Sequence, residues 1–430
     1  MNTDLPAAIG KYAVVRELGR GATASVYLAR DPFAGRFVAI KMFRHAGADT
    51  DLFSGKHRTA FLNEAALVGK LQHPHIVQML DAAVEREYSY IVMELVEGGT
   101  LAQYATVENL LPLEKAVEVV FKASRALEFA HRHGVIHRDI KPANILVTPN
   151  FDVKLSDFGV AILEGVTHTD LRHAGSPAYM SPEQLGDQAL THQTDIYSLG
   201  VVMYQLLTGR LPFFGTSHAS LMYQIMHYAA PPVRKLRPDL PEAFEPIVAR
   251  AMEKSLGDRY QSWIDFGKDL AALVRNLDLP REGLSDTRKY NALRNLSFFR
   301  DFLEVEIWEV LRISAWERVP ADKVIIREGD RGDSFYVLVE GEVDVTRAGR
   351  ELNRLVPGDC FGEMLYFADQ TAVRSTTIRA LKPLLMIEIK AASLSAASDA
   401  CQVRFNKSFM RILIERLSAA NQKLVDIKER

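Results

Sequence analysis

The sequence predicts an α+β chain: a β-rich lobe, an α-rich lobe, then a small β-barrel with flanking helices. Three observations predict it. From residue 12 to about 93, apolar residues fall in short β-branched or aromatic runs. From Leu101 to about Leu277 the apolar spacing turns helical. Beyond Lys323 short alternating stretches return, punctuated by Gly329, Gly332, Gly341, Gly349 and Gly358, the texture of a small barrel or jelly roll. A length of 430 residues fits more than one domain.

The first lobe is expected to hold strands at Tyr12–Leu18, Ser25–Arg30, Arg36–Phe43, Val77–Val84 and Ser89–Met93, interrupted by one helix over Thr59–Leu71. Pro112–His133, Ile247–Met252 and Phe266–Leu273 read as helices of the second lobe. The apolar run Ile196–Leu207 is too short and too interrupted to cross a bilayer, so it reads as a buried helix. The polar stretch around Pro280–Lys289 marks a linker, placed at 278–295 between domains at 12–277 and 296–400. A helical segment is expected over Tyr290–Ile313. Strands then follow at Lys323–Arg327, Ser334–Val339, Glu342–Arg347, Glu351–Leu355 and Thr376–Ile389. The C-terminal helix, 401–430, carries Met410, Leu413, Leu417, Ala420, Leu424 and Ile427 at heptad spacing. That seam fits packing on its own barrel, with a homodimer or the capping of a bound ligand as the alternative.

Composition excludes several classes. A net charge of -2 from 52 basic and 54 acidic residues advertises neither nucleic acid nor an anionic membrane as partner. Two cysteines, Cys360 and Cys401, are too few for a disulfide framework and fit a reducing compartment. The N-terminus lacks the basic and apolar regions of a signal peptide. The expectation is a cytoplasmic protein with no membrane span.

The chemistry-bearing residues come in a fixed order. Gly19-Arg20-Gly21 sits between two strands, where glycines let backbone approach a phosphate; Ala24 stands at the third glycine position. Lys41 ends the apolar run Val38-Ala39-Ile40, and Glu64 lies on the following helix. Next come His137-Arg138-Asp139-Ile140-Lys141-Pro142-Ala143-Asn144, then Asp157-Phe158-Gly159, then Ser181-Pro182-Glu183. Each piece alone has a bland reading as a turn or a solvated charge. Their ordered conjunction on a β-rich and then an α-rich lobe has none.

Over residues 12–277 the chain resembles the protein-kinase superfamily, most closely its bacterial-type Ser/Thr members. The resemblance implies a bilobal kinase fold that uses ATP and Mg²⁺. It implies that Lys41 binds the α/β-phosphates and pairs with Glu64, and that Asn144 and Asp157 hold Mg²⁺. Asp139 would accept or orient the substrate hydroxyl proton, and Lys141 would touch the transferring phosphate. Leu18, Gly19, Gly21, Val26, Ala39 and Leu146 would surround the nucleotide. Met93 would be the gatekeeper, and the backbone of Glu94 and Val96 would bind adenine. Asp195 would correspond to the family's helix-anchoring aspartate, and Glu183 would pair with Arg259 in a structural ion pair. Thr167 and Thr169 are the expected activation-loop phosphorylation sites, since Arg138 precedes Asp139.

Residues 296–400 carry a second pattern: Glu328-Gly329-Asp330, Gly341, then Phe361-Gly362-Glu363 and Arg374-Ser375-Thr376-Thr377. This region resembles cyclic-nucleotide-binding domains. The resemblance implies that Glu363 binds the ribose 2′-hydroxyl and Arg374 the cyclic phosphate, with Gly362 and Ser375 beside them. Val373 and Thr376 depart from the family's frequent proline and alanine. The implied function is an ATP-dependent Ser/Thr protein kinase acting on protein substrates and modulated by cAMP or cGMP, with the sign of regulation open. The alternatives are a non-catalytic kinase-fold scaffold, and an active kinase whose barrel binds no cyclic nucleotide.

Overall fold

In a computed structural model the chain divides into two compact units, Met1–Arg281 and Glu282–Arg430. The structure describes residues 5–21, 24–44, 55–158, 177–276, 284–367 and 373–428.

The first unit begins with strands β1 (Ala8–Ile9), β2 (Tyr12–Arg20), β3 (Ser25–Arg30), β4 (Phe37–Arg44), β5 (Met79–Val84) and β6 (Tyr88–Glu94). They form one sheet in the order β1-β2-β3-β4-β6-β5. β4 lies between β3 and β6, so Val38, Ala39, Ile40, Met42 and Phe43 are all buried. That placement sets Lys41 opposite Val26 on one side and Ile91 on the other. A helix, Gly55–Val68, packs by its Phe61 against Phe43 and Ile91.

The helical part is built around two long helices. In Leu113–Arg132 small and apolar side chains (Ala116, Val120, Ala123, Leu127 and Ala130) fill the interior at helical spacing. His192–Thr208 is buried almost throughout, as expected for its apolar run Ile196–Leu207. Thr191 caps its start by accepting the Gln193 N–H at 3.2 Å, and Gly209 closes it at φ 70°. A side chain at Gly209 would also collide with the Val107 backbone, so two independent reasons demand glycine there. A small sheet of β7 (Gly99–Thr100), β8 (Ile145–Val147) and β9 (Val153–Leu155) carries the loops between them.

The second unit holds two four-stranded sheets. One has the order β10 (Ser314–Val319), β17 (Leu384–Lys390), β12 (Ser334–Glu340), β15 (Cys360–Phe361). The other runs β11 (Val324–Ile326), β16 (Thr377–Ala380), β13 (Val343–Arg347), β14 (Arg350–Leu355). Every strand gives at least one side chain to a single core, including Val319, Ile326, Leu338, Val343, Phe361 and Met386. Phe298, Phe299 and Phe302 meet Phe405 and Phe409, and so join the entry segment to the C-terminal helix Asp399–Lys428.

Four local expectations change. The expected linker 278–295 contains a helix, Asp286–Asn295, capped by Ser285 and anchored by Tyr290 stacking on Trp308 at 4.8 Å. The helical segment expected over Tyr290–Ile313 is broken at residues 296–303, where a 3-10 turn Ser297–Phe299 buries two phenylalanines before the helix Glu304–Ile313. The strand expected over Thr376–Ile389 is two, split at Leu381-Lys382-Pro383 because proline cannot donate to a ladder. On the C-terminal helix the described part of the seam does not face the barrel. Met410, Leu413 and Leu417 are exposed, while Phe405, Phe409 and Ile412 are buried. The side chains of Ala420, Leu424 and Ile427 lie outside the described residues. No helix among the described residues is long and apolar enough to cross a membrane.

Candidate functional site

In the first unit the chemistry-bearing residues converge from the sheet and the loops flanking β8 and β9. Asp195, fully buried at the start of its helix, accepts the His137 N–H at 2.8 Å and the Arg138 N–H at 2.9 Å. Burial pushes its carboxyl up, while His137 and Arg138 favour the charged form. The His137 ring sits 4.4 Å from Phe158, with Nε2 at 2.9 Å from the Ser156 carbonyl. A carbonyl only accepts, so Nε2 carries the proton and Nδ1 is left to accept the Asp139 N–H at 3.3 Å. Arg138 is held at φ 68° and Asp157 at φ 65°, backbone that costs an L residue about 1–3 kcal/mol and persists only where surroundings enforce it.

Asp139 presents its carboxylate among donors. Lys141 Nζ approaches it at 2.7 Å and Asn144 Nδ2 at 2.8 Å. Asn144 also donates to the Asp139 carbonyl at 2.8 Å. With its amide nitrogen so engaged, the Asn144 Oδ1 is the atom left for a cation. Asp157, on the facing loop, offers a carboxylate, so the two residues fit a hard oxygen-seeking ion such as Mg²⁺.

Lys41 pairs with Asp157, Nζ to Oδ1 at 2.8 Å. This corrects the expected Lys41–Glu64 pair, which is not formed. Two carboxylates compete for one ammonium, and Asp157 holds it. Glu64 is half-buried, and burial raises its pKa, opposed only by the Arg138 guanidinium. Behind Lys41 lies a cavity lined by Met79, Ile91, Met93, Asp157 and Phe158.

Of the expected nucleotide residues, Met93 lines the cavity beside Lys41. Gly19, next to last in β2, has open space where a side chain would stand, and the Gly21 N–H donates to the Ala24 carbonyl at 2.8 Å. Ala39 pairs across the sheet with Met93, and Ala39 is buried while Val26 and Leu146 are half-buried. Leu18 is exposed. The Glu94 N–H donates to the Gln78 carbonyl at 2.9 Å, and Val96 follows beyond the strand end. Thr167 and Thr169, like Gly159, lie outside the described residues.

In the second unit Arg374 is buried and donates to two carbonyls, Ser334 at 2.7 Å and Gly362 at 3.1 Å. Burial lowers its pKa, with Tyr336, Asp333, Glu388 and Glu363 opposing. Gly362 has φ 79°, and a Cβ on it or on Gly332 would strike the guanidinium, so the loop is shaped around that side chain. Glu363 is buried and bonded to Arg416 at 2.7 Å, while the other guanidinium nitrogen of Arg416 holds the Cys360 carbonyl. Ser375 is exposed beside Arg374. Sequence reasoning missed Arg416 and Ser334. Arg416 stands 53 positions from Glu363 on a helix with no motif, so no local signal could have placed it.

The model of the protein kinase domain matches residues 12–262, and that of the cyclic nucleotide-binding domain matches 316–400. The chain is 37% identical over 264 residues to the serine/threonine-protein kinase PrkC of Bacillus subtilis (strain 168), covering 61% of this chain and 40% of that protein. It is 36% identical over 266 residues to the probable serine/threonine-protein kinase PknB of Lactococcus lactis subsp. lactis (strain IL1403), covering 61% and 42%. It is 35% identical over 295 residues to the serine/threonine-protein kinase PknL of Mycobacterium tuberculosis (strain ATCC 25618 / H37Rv), covering 67% and 72%. The chain thus spans less than half the length of the first two.

Proposed function

The chain belongs to the protein kinase family, and we propose that it transfers the γ-phosphoryl group of ATP to serine or threonine hydroxyls of protein substrates, under the influence of a cyclic nucleotide bound in its second unit. The single observation that carries the reading is the Asp139–Lys141–Asn144 cluster facing Lys41 and Asp157, with every charged group that phosphoryl transfer needs present. Asp139 holds the acceptor hydroxyl and takes its proton. Lys141, now on Asp139, lies where it can follow the transferring group. Lys41 exchanges its contact with Asp157 for the phosphates and for Glu64, which frees Asp157. Mg²⁺, held by Asn144 and Asp157, would neutralise phosphate charge.

For the second unit, the reading rests on Arg374, a buried guanidinium that donates to two main-chain carbonyls and, among the described residues, pairs with no carboxylate. A cyclic phosphate would replace those neutral acceptors with a charged one. Glu363 would accept a ribose hydroxyl once Arg416 yields or shares it.

The test measures phosphate transfer from labelled ATP to a generic basic protein, with and without cAMP and cGMP. Transfer that either nucleotide changes at least threefold supports the whole reading. Transfer indifferent to both leaves the kinase and removes its regulation. No transfer at all favours the scaffold. In calorimetry, Arg374→Ala is expected to weaken cyclic nucleotide binding by about 10²-fold, the loss of one charge-assisted contact of up to about 3 kcal/mol; unchanged affinity would remove Arg374 from the ligand site.

A further inference from the structure

Gln184 is the third residue of the short helix Pro182–Leu185, and its amide is divided between two elements. Its Oε1 accepts the Ser181 N–H at 3.0 Å, completing a capping box with the Ser181 hydroxyl. Its Nε2 donates to the Arg138 carbonyl at 2.9 Å. That carbonyl belongs to the peptide whose N–H is that of Asp139. The same N–H is held on the opposite side by His137 Nδ1 at 3.3 Å. A peptide group is planar, so fixing its oxygen and its N–H fixes the plane. Arg138 stands in the left-handed region at φ 68°, where an L residue stays only under constraint. Its own N–H is pinned by Asp195. The Arg138 carbonyl is thus restrained from outside the catalytic loop and its anchoring helix.

We propose that Gln184 is a positioning residue for Asp139: by holding the Arg138 carbonyl it sets the orientation from which the carboxylate meets the acceptor hydroxyl. The inference rests on the kinase reading above. It ties the start of the Pro182–Leu185 helix to the catalytic loop by one donor, so a shift of that helix would turn Asp139.

The bland alternative is that Gln184 only caps its helix. Gln184→Glu separates the two roles, because it keeps the oxygen that accepts the Ser181 N–H and turns the donor into an oxygen facing a carbonyl. Two measurements are made on the full chain, beside wild type and Gln184→Ala. In Gln184→Glu, kcat is expected to fall about 10–100-fold, the scale of a small misplacement of a reacting group, while KM for ATP stays within about twofold. Amide hydrogen exchange over residues 136–141, read without ATP, is expected to quicken at least about threefold, with the thermal midpoint held by the intact cap. Gln184→Ala is expected to match that kcat and to lose stability as well. Unchanged exchange overturns the clamp. Quicker exchange with unchanged kcat overturns the positioning role. If wild type transfers no phosphate, quicker exchange still supports the clamp, and the kinase reading is what falls.

Discussion

In Asp139→Asn, phosphate transfer from labelled ATP is expected to drop about 10²–10⁴-fold, the usual contribution of a positioned proton acceptor. The substitution keeps the size of the side chain and one oxygen for the Asn144 amide. It removes the charge that draws Lys141 to 2.7 Å and the oxygen able to take a proton. Asp139 is held through its backbone as well, by His137 Nδ1 on the N–H and Asn144 on the carbonyl. The fold of the loop should therefore survive, with the thermal midpoint within about 2 °C of wild type, as for a partly exposed residue outside the core. KM for ATP should move little, since Lys41 and Asp157 lie on other elements. A variant that transfers phosphate at the wild-type rate would remove Asp139 from the chemistry and with it the catalytic reading.

Arg259→Leu should have the largest effect on stability. Arg259 is completely buried and binds Glu183, itself 3% exposed, by two hydrogen bonds at 2.8 and 3.1 Å. It also donates to the Gln193 carbonyl at 2.8 Å and the Glu253 carbonyl at 2.9 Å. Removing the guanidinium leaves a carboxylate and two carbonyls in the interior without that partner. Breaking such a buried pair costs about 3–5 kcal/mol. At about 2–4 °C per kcal/mol for a unit of this size, the thermal midpoint of the first unit falls by roughly 6–20 °C. Replacing both partners with apolar residues should recover much of the loss, which separates the unpaired charge from the worth of the pair. A midpoint within about 2 °C of wild type would show the pair to be dispensable.

The same pair dictates a pH dependence. Burial alone would raise the Glu183 pKa, but the hydrogen bonds and charge of Arg259 outweigh it and hold the carboxyl below its usual value of 4.5. A carboxylate depressed in the folded state contributes stability that is fully present above the unfolded value. That contribution is lost as pH falls through the folded one. Acid unfolding of the wild type should therefore steepen below about pH 4.5, and Glu183→Gln should flatten that limb. Parallel acid limbs in the two proteins would refute the assignment.

Much of the first site was legible because its signal is the order of short motifs. Lys41 on a strand, Asp139 and Asn144 five positions apart in one loop, and Asp157 beyond a strand pair are separations that local structure preserves. The asymmetry between the two lobes was equally plain, since periods of two and of 3.6 residues are written into the apolar spacing. The seam of the C-terminal helix shows the limit of that reading. Its heptad spacing identifies a stripe, but Phe405, Phe409 and Ile412 decide which face turns inward, because the aromatic cluster from Phe298 to Phe302 waits on that side.

What the sequence by itself determined about this protein is therefore which chemical groups exist and on which kind of element each stands. Only the tertiary structure decided how those groups are partnered. Lys41 sits with Asp157 and leaves Glu64 aside, Arg416 reaches Glu363, and Gln184 holds the carbonyl beside Asp139. The physical reason is that a charge or donor takes whichever complementary group the packing brings within about 3 Å, and that distance is not a function of separation along the chain.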